Sequence, residues 1–456
     1  MDKRIINKYL PYAVFLVLSF LPLGLIFNDN IWFDESYTLS LIWHNYNEII
    51  EILQSDMHPP LYFLSLKVFC SIFGYSICTS KIFSVLGYIA TLFLGCTIYK
   101  KRFGNYISVL YMLIISACPI TLYFAVQQRA YSWCIFFVTF CFIEALLFIE
   151  NRGKYHSVLF SISALFASYN HIYALLAVGI IYIFVNIYIF IKNRSLWLYA
   201  LLADLIVVLG YLPWLVVLLN QVKEASESFW LTELEPRSIE FFVISAVVVF
   251  IMLIQKKNRT LPIIFGAFGF LTLQVIGLAV SMLIRPLYLA RYAGIVLGVF
   301  SIFVAMCIGN YSKKIKQVFC ILICVANIVS FIFVACFEYN PSFDNFKKKF
   351  QSVITVSDTF VYCDSSFGIM SYCYPENRHI CSYYISWFDA FGNVEYIEKD
   401  KIADELMNEE NIWFVVNTQK KLPKWITENF ELEQYDTFTI DFNTFDVYTL
   451  SLINET

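Results

Sequence analysis

The chain has 456 residues, of which 59% are hydrophobic, 19% are aromatic and only 15% are charged, and its formal net charge is −3. A soluble globular protein carries roughly 25% charged residues, so this composition excludes a soluble protein, and the nearly neutral charge gives no indication of a nucleic-acid partner. Apolar runs of the roughly 20 residues needed to cross about 30 Å of hydrocarbon recur through the first three quarters of the chain. The sequence therefore predicts a polytopic α-helical protein with membrane lipids around it.

About eleven apolar segments are predicted to cross the membrane. The first lies near the N-terminus but is followed by no small-residue cleavage site, so we expect it to be a retained span and not a signal peptide. One further apolar stretch, 59–74, is ambiguous by composition alone. The predicted spans are 9–27, 79–99, 106–124, 133–150, 157–168, 171–191, 197–219, 239–254, 262–284, 288–309 and 318–337.

Short loops rich in Lys and Arg decide the predicted topology, because such loops stay on the cytoplasmic side. If 59–74 were a separate span, Lys100–Arg102 and every later basic loop would fall outside. If 59–74 is a helix in the outer interface, begun by Pro59 and Pro60, all the basic loops lie inside. This predicts a cell-membrane protein with a cytoplasmic N-terminus and an extracytoplasmic C-terminus. The basic loops are Asp2–Lys8, Lys100–Arg102, Asn151–Lys154, Lys192–Arg194, Gln255–Arg259 and Lys313–Lys316.

The composition becomes polar from about Glu338 onward. Segments 359–363 and 411–416 read as strands, the stretch 396–410 between them is helix-prone, and 435–452 alternates like two paired strands. These patterns predict a small external α/β domain.

The sequence thus divides into a transmembrane catalytic domain, 1–337, with its first external loop at about 28–78, and an extracytoplasmic α/β domain, 338–456. Three of the 13 cysteines, Cys363, Cys373 and Cys381, fall in the second domain, which allows at most one disulfide there.

Acidic side chains and a histidine lie in the first external loop. Asp34 and Glu35 follow the first span, where they either begin a helix, with Asp34 as its cap, or carry chemistry. Asp56 and His58 belong to the stretch DMHPPLYF, whose prolines are also common at a helix start.

Basic side chains are predicted at the same external face. Arg129 stands with Tyr131 in QQRAYSW, His171 in SYNHIYAL, and Arg285 and Arg291 in RPLYLARYAG. The alternative interpretation is that the arginines snorkel to the interface and that the histidine is an ordinary interfacial residue.

The order of these motifs resembles that of membrane glycosyltransferases with the GT-C fold. An acidic pair after the first span, a basic residue or histidine before Pro-Pro, and an arginine beyond the third span are typical of the dolichyl-phosphate-mannose protein mannosyltransferase and lipid A aminoarabinose transferase family (glycosyltransferase family 39-like). The resemblance covers roughly residues 1–310. It implies a GT-C-like fold and the transfer of a sugar from a polyprenyl-phosphate donor to an acceptor hydroxyl at the external face, with inversion at the anomeric carbon.

The resemblance also implies roles for the candidate residues. Asp34 is the expected base for the acceptor hydroxyl, with Glu35 beside it as the second catalytic candidate. Arginines or a divalent ion would stabilise the departing phosphate. No nucleotide cofactor is expected, and since no spacing specifies a metal site, a metal ion stays unknown. The implied substrate-binding residues are Asp56, His58, Arg129, Tyr131, His171, Arg285 and Arg291.

Two departures from the family leave the acceptor open among a surface glycan, a lipid and a protein. The protein mannosyltransferases have a large folded insertion where this chain has only the loop 220–237, and the aminoarabinose transferases usually have lysine in place of His58. Two other classes are considered. A transporter or flippase would predict paired repeats with broken helices, and a non-catalytic scaffold would explain the external domain but not the shared location of the polar motifs.

Overall fold

The computed structural model describes residues 3–227, 233–384, 388–409 and 411–453. Helices account for most of the described chain before residue 340, and a short π-helical turn at Gly95–Tyr99 joins α5 to α6. These helices are α1 (Lys3–Phe20), α2 (Phe33–Leu41), α3 (Tyr46–Ser55), α4 (Leu61–Phe73), α5 (Ile77–Leu94), α6 (Lys100–Phe103), α7 (Asn105–Ser116), α8 (Pro119–Val126), α9 (Tyr131–Ile149), α10 (Tyr155–Ser168), α11 (Ile172–Lys192), α12 (Trp197–Glu227), α13 (Pro236–Ile254), α14 (Leu261–Leu283), α15 (Ala290–Ala293), α16 (Leu297–Gly309) and α17 (Lys313–Glu338).

The described residues contain nine helical segments that are long and apolar enough to cross a membrane. Helices α7 and α8 make a tenth if they cross together, although the pair is bent by 71°. Pro119 opens α8 and causes the break, since proline cannot continue the hydrogen bonding of a preceding helix. The prediction of a multi-pass membrane protein is confirmed. An eleventh span would have to be α10, whose 14 residues reach only about 21 Å, so the count of eleven is not confirmed.

The ambiguous stretch 59–74 forms helix α4. Its 13 residues measure about 20 Å, which is too short to cross the hydrocarbon core. The helix begins directly after Pro60, where the backbone N–H of Leu61 donates to the carbonyl of Tyr169 at 3.0 Å, and it ends at Gly74, whose φ is +95°. The predicted helix is therefore present, while its position in the outer interface stays a prediction.

Small residues allow the spanning helices to pack closely. A Cβ atom on Gly298 of α16 would collide with the side chain of Thr139 of α9. Close backbone approach of this kind supplies the van der Waals contact that holds helices together in lipid. Helices α9 and α10 also share a buried polar pair, in which Nδ1 of His156 lies 2.6 Å from Oε2 of Glu144.

The chain separates into two compact units. The first contains Met1–Ile26, Met57–Gly74 and Thr79–Val334, and the second contains Phe27–Asp56, Tyr75–Cys78 and Ala335–Thr456. The segment 28–78 therefore contributes α2 and α3 to the second unit and α4 to the first. The boundary predicted between residues 337 and 338 separates membrane-spanning from external residues, whereas the two units are separated by their internal contacts. The predicted boundary therefore stays a prediction.

A six-stranded sheet forms the centre of the second unit. Its order is β3-β2-β1-β4-β6-β5. Strands β1 to β4 run parallel, β6 pairs antiparallel with β4, and β5 pairs antiparallel with β6. The elements are α18 (Ser342–Phe350), β1 (Thr359–Tyr362), α19 (Ser366–Cys373), β2 (Arg378–Cys381), the 3₁₀ helix Phe388–Ala390, β3 (Val394–Tyr396), α20 (Ile402–Glu405), β4 (Ile412–Asn417), α21 (Lys424–Asn429), β5 (Phe430–Ile440) and β6 (Asn443–Leu452).

The strand predictions for this unit are confirmed and the helix prediction is largely wrong. The alternating stretch 435–452 forms most of the β5–β6 hairpin, in whose turn Asp441 has a φ of +54°. The helix expected at 396–410 is reduced to the four residues of α20. The segment packs against the sheet through Ile402 of α20 and Leu406 of the turn after it, which are fully buried. Residue 410 lies outside the described residues, as do 228–232 of the predicted loop 220–237, whose first part continues α12.

All 13 cysteines are free thiols, including Cys363, Cys373 and Cys381. The single disulfide that the sequence allowed does not form.

Candidate active site

The first unit holds a basic pair formed by residues far apart in the sequence. His58 precedes α4 and Arg129 precedes α9, and Nη2 of Arg129 lies 2.6 Å from Nε2 of His58. Because a guanidinium only donates, Nε2 of His58 accepts this hydrogen bond. Phe63 packs against both, with 6.0 Å between its ring centre and that of His58 and 6.0 Å to the guanidinium carbon. Arg129 is only 4% exposed, so its charge acts in poorly hydrated surroundings.

His171 lies next to this pair at the start of α11. Its Nδ1 accepts a hydrogen bond from the backbone N–H of Tyr173 at 3.1 Å, which caps the helix. The imidazole rings of His171 and His58 are 6.2 Å apart, and the ring of Tyr131 is 5.7 Å from that of His171. Burial, followed by the positive charges of the nearby basic residues, holds the pKa of His171 well below its usual value. His171 is therefore a neutral imidazole that keeps its proton on Nε2 as a donor.

Arg291 reaches the same cluster through Tyr292. Its guanidinium lies over the Tyr292 ring, 5.1 Å from the ring centre, and the Tyr292 ring lies 5.3 Å from that of His171. The positive charges of Arg129 and Arg291 contribute to the lowered pKa of His171. Four separated segments thus bring two guanidinium groups and two imidazoles together.

Serine and tyrosine hydroxyls hold the segment that contains Arg291. Ser238 of α13 accepts the backbone N–H of Ala290 at 2.8 Å, and Tyr173 of α11 donates to the carbonyl of Leu287 at 2.7 Å. Arg285 lies earlier in this segment and is half-buried.

The three candidate carboxylates belong to the second unit. Helix α2 begins at Phe33, which places Asp34 and Glu35 in its first turn. Oε2 of Glu35 accepts the backbone N–H of Trp32 at 3.2 Å, so Glu35 stabilises the helix start, and it is only 5% exposed. Asp34 is half-buried. The structural role that the sequence left open for the pair thus belongs to Glu35.

Asp56 is tied to α2 by a tyrosine. The hydroxyl of Tyr37 donates to Oδ2 of Asp56 at 2.7 Å, and both side chains are buried. Since Tyr37 follows Asp34 by three residues, it lies one turn along the same helix, on the side of the acidic residue.

Three further residues were missed by reasoning from the sequence. Tyr37 and Tyr292 are two of 31 tyrosines, so neither stood out. Lys81 is fully buried in α5, one turn before Ser84, whose hydroxyl lies 3.0 Å from that of Tyr62. A lysine inside an apolar run was a visible signal for Lys81.

The described residues contain no group of three or more His, Cys, Asp or Glu side chains placed to hold a metal ion.

Comparison with solved structures identifies the fold. Two crystal structures of ArnT from Cupriavidus metallidurans, one without ligand and one bound to undecaprenyl phosphate, each align with a TM-score of 0.64 at 12% sequence identity. Each alignment covers 96% of this chain and 97% of the ArnT chain. No protein-family model matches the sequence, and no curated protein matches it. The predicted GT-C-like fold, spanning helices with a small sheet domain after them, is confirmed.

Proposed function

We propose that this protein is a membrane glycosyltransferase that moves a sugar from a polyprenyl-phosphate donor to a hydroxyl acceptor at the external face of the cell membrane. The observation that carries the proposal is the contact between the buried Arg129 and the half-buried His58, with His171 and Arg291 beside it. Cationic hydrogen-bond donors in poorly hydrated surroundings suit a phosphate group. The likeness to ArnT, one structure of which contains undecaprenyl phosphate, supports this donor class.

The reaction assigns one task to each group of residues. The acceptor oxygen forms a bond to the anomeric carbon from the face opposite the phosphate, and the bond from that carbon to the phosphate oxygen breaks with its electron pair on oxygen. Asp34 takes the acceptor's proton as the new bond forms. Arg129 and Arg291 stabilise the negative charge on the departing polyprenyl phosphate, with Arg285 behind them. The configuration at the anomeric carbon is inverted.

The remaining candidates position these groups. His58 orients the Arg129 guanidinium and contacts the phosphate or sugar. His171, as a neutral imidazole, offers an Nε2 proton to an oxygen of the donor, and Tyr131 packs against its ring. Glu35 and Asp56 hold α2 in place. The acceptor is a surface glycan, lipid or protein, and the chain has its N-terminus in the cytoplasm.

The test uses the purified full chain in lipid nanodiscs with a panel of radiolabelled polyprenyl-phosphate sugars. Wild type is compared with Asp34→Asn, in which the amide keeps the shape of the side chain but takes no proton. The matched control is Asp29→Asn, the same change at an exposed carboxylate before α2. We expect label on an acceptor or on water with wild type and Asp29→Asn, and at least a 100-fold loss with Asp34→Asn.

Binding of undecaprenyl phosphate is measured on the same samples. Full turnover by Asp34→Asn would show that the base is another residue. If wild type neither turns over a donor nor binds undecaprenyl phosphate, the glycosyltransferase proposal is wrong.

A further inference from the structure

Helix α2, which contains Asp34 and Glu35, packs against the part of the second unit that follows residue 335. The ring of Phe33 lies 5.8 Å from that of Phe367, edge to face, and 6.1 Å from that of Phe391, stacked. The ring of Tyr37, one turn later, is 6.3 Å from that of Phe391. Phe367 and Phe391 are buried. Aromatic residues on both sides of the acidic pair thus contact the same aromatic cluster.

Gly368 permits this close approach. A Cβ atom at this position would lie 2.8 Å from Oγ of Ser36 and 2.9 Å from the Phe33 ring, so any side chain there would push α2 away from α19. Gly392, in the same unit, has no atom within 4 Å of its corresponding Cβ position. The requirement for glycine at residue 368 is therefore steric and specific to the contact with α2.

Both ends of α2 are also anchored to the later segment. Before the helix, the Asn30 amide donates to the carbonyls of Glu338 at 3.1 Å and Asn340 at 3.0 Å. After the helix, Nε2 of His44 lies 3.1 Å from the carbonyl of Ala390. A nine-residue helix is marginal by itself, so its orientation depends on such tertiary contacts.

We propose that the C-terminal segment 335–456 positions Asp34, the proposed base, and that Gly368 is a positioning residue for the transfer reaction. The inference rests on the proposed function. A base must lie within hydrogen-bond reach of the proton it removes, and a displacement of about 1 Å can cost about 100-fold in rate. The sheet domain then serves catalysis by holding α2.

The test measures kcat and KM for the donor in Gly368→Ala, with Gly392→Ala as the matched control. The added methyl group displaces α2 without changing any charged residue. We expect kcat to fall between about 10- and 100-fold in Gly368→Ala, with the KM for the donor and the binding of undecaprenyl phosphate unchanged. Gly392→Ala should behave as wild type.

A second variant guards against misfolding of Gly368→Ala. Phe391→Leu keeps an apolar side chain but removes the ring that contacts Phe33 and Tyr37, and it should show the same loss of kcat at constant KM. If both variants keep the kcat of wild type while Asp34→Asn is inactive, the positioning inference is overturned and the proposed function stands. If Asp34→Asn is itself fully active, Asp34 is not the base, and the positioning inference fails together with that assignment.

Discussion

Nη2 of Arg129 lies 2.6 Å from Nε2 of His58, although 71 positions separate the two residues in the sequence. The hydrogen bond fixes one edge of the guanidinium plane and so restricts how the group can turn. A guanidinium held in this way has a fixed orientation toward an anion that binds beside it.

The first prediction is that shape as well as charge matters at residue 129. Arg129→Lys keeps the charge but loses the planar fork, so we expect undecaprenyl phosphate to bind about 10-fold more weakly, and about 100-fold more weakly in Arg129→Ala. Binding is measured in nanodiscs, with Arg152→Lys as the control because the Arg152 side chain is 57% exposed. Equal affinity for wild type and Arg129→Lys would mean that the fork does not contact the phosphate.

The second prediction concerns the hydrogen bond from Tyr37 to Asp56. Tyr37→Phe deprives a buried carboxylate of one donor, which should lower the free energy of unfolding by about 1 to 3 kcal/mol. Thermal unfolding in detergent measures the effect, and Tyr46→Phe, at a 47% exposed tyrosine, should leave Tm unchanged. An unaltered Tm in Tyr37→Phe would show that this bond adds no net stability.

The third prediction concerns the pair formed by Glu144 and His156. Replacing one partner leaves the other buried without its hydrogen bond, so Glu144→Leu should destabilise the protein by about 1 to 3 kcal/mol. The double variant Glu144→Leu with His156→Phe should recover most of this loss, because an apolar pair suits the same space. Undecaprenyl phosphate binding by the folded protein should not change in either case. A single variant as stable as wild type would contradict this structural role.

The fourth prediction is a loss of stability in mild acid caused by His379. Its Nδ1 lies 2.8 Å from the Tyr362 hydroxyl and its Nε2 lies 2.8 Å from the Tyr374 carbonyl, and burial lowers its pKa to about 4. An unfolded chain binds a proton at His379 below about pH 6.5, whereas the folded chain does not until about pH 4, so the free energy of unfolding falls as pH is lowered through this window. The loss amounts to about 3 kcal/mol at most.

Resistance of the second unit to proteolysis, measured on the full chain at pH 7 and pH 4.5, detects this change. His379→Gln removes the titrating group, so its resistance should depend less on pH even if it is lower throughout. Identical pH profiles for wild type and variant would assign the acid sensitivity to other groups.

The spans and the basic cluster were predictable because polar residues are rare in this chain and are therefore conspicuous. His58, Arg129 and Arg291 each lie in a short polar stretch between apolar segments, and the order of the motifs indicated that they belong to one site. Pro119 was visible, but the run on both sides of it is apolar, so a bent pair of helices looked like one span.

The assignment of α2 to the second unit could not be predicted, because it depends on contacts between residues about 300 positions apart. Nothing near Phe33 in the sequence points to Phe367. The helix-prone composition at 396–410 was misleading. Many of its side chains are charged, so a long helix there would have too little apolar surface to pack against the sheet.

The second unit is assembled from segments that leave the ribosome at very different times. Residues 27–56 are made roughly 280 residues before residue 335, which at about 5–20 residues per second is an interval on the order of tens of seconds. Helix α2 therefore has no access to its aromatic partners until every spanning helix has been synthesised. The order of translation delays completion of the acidic helix until after the membrane bundle has been made.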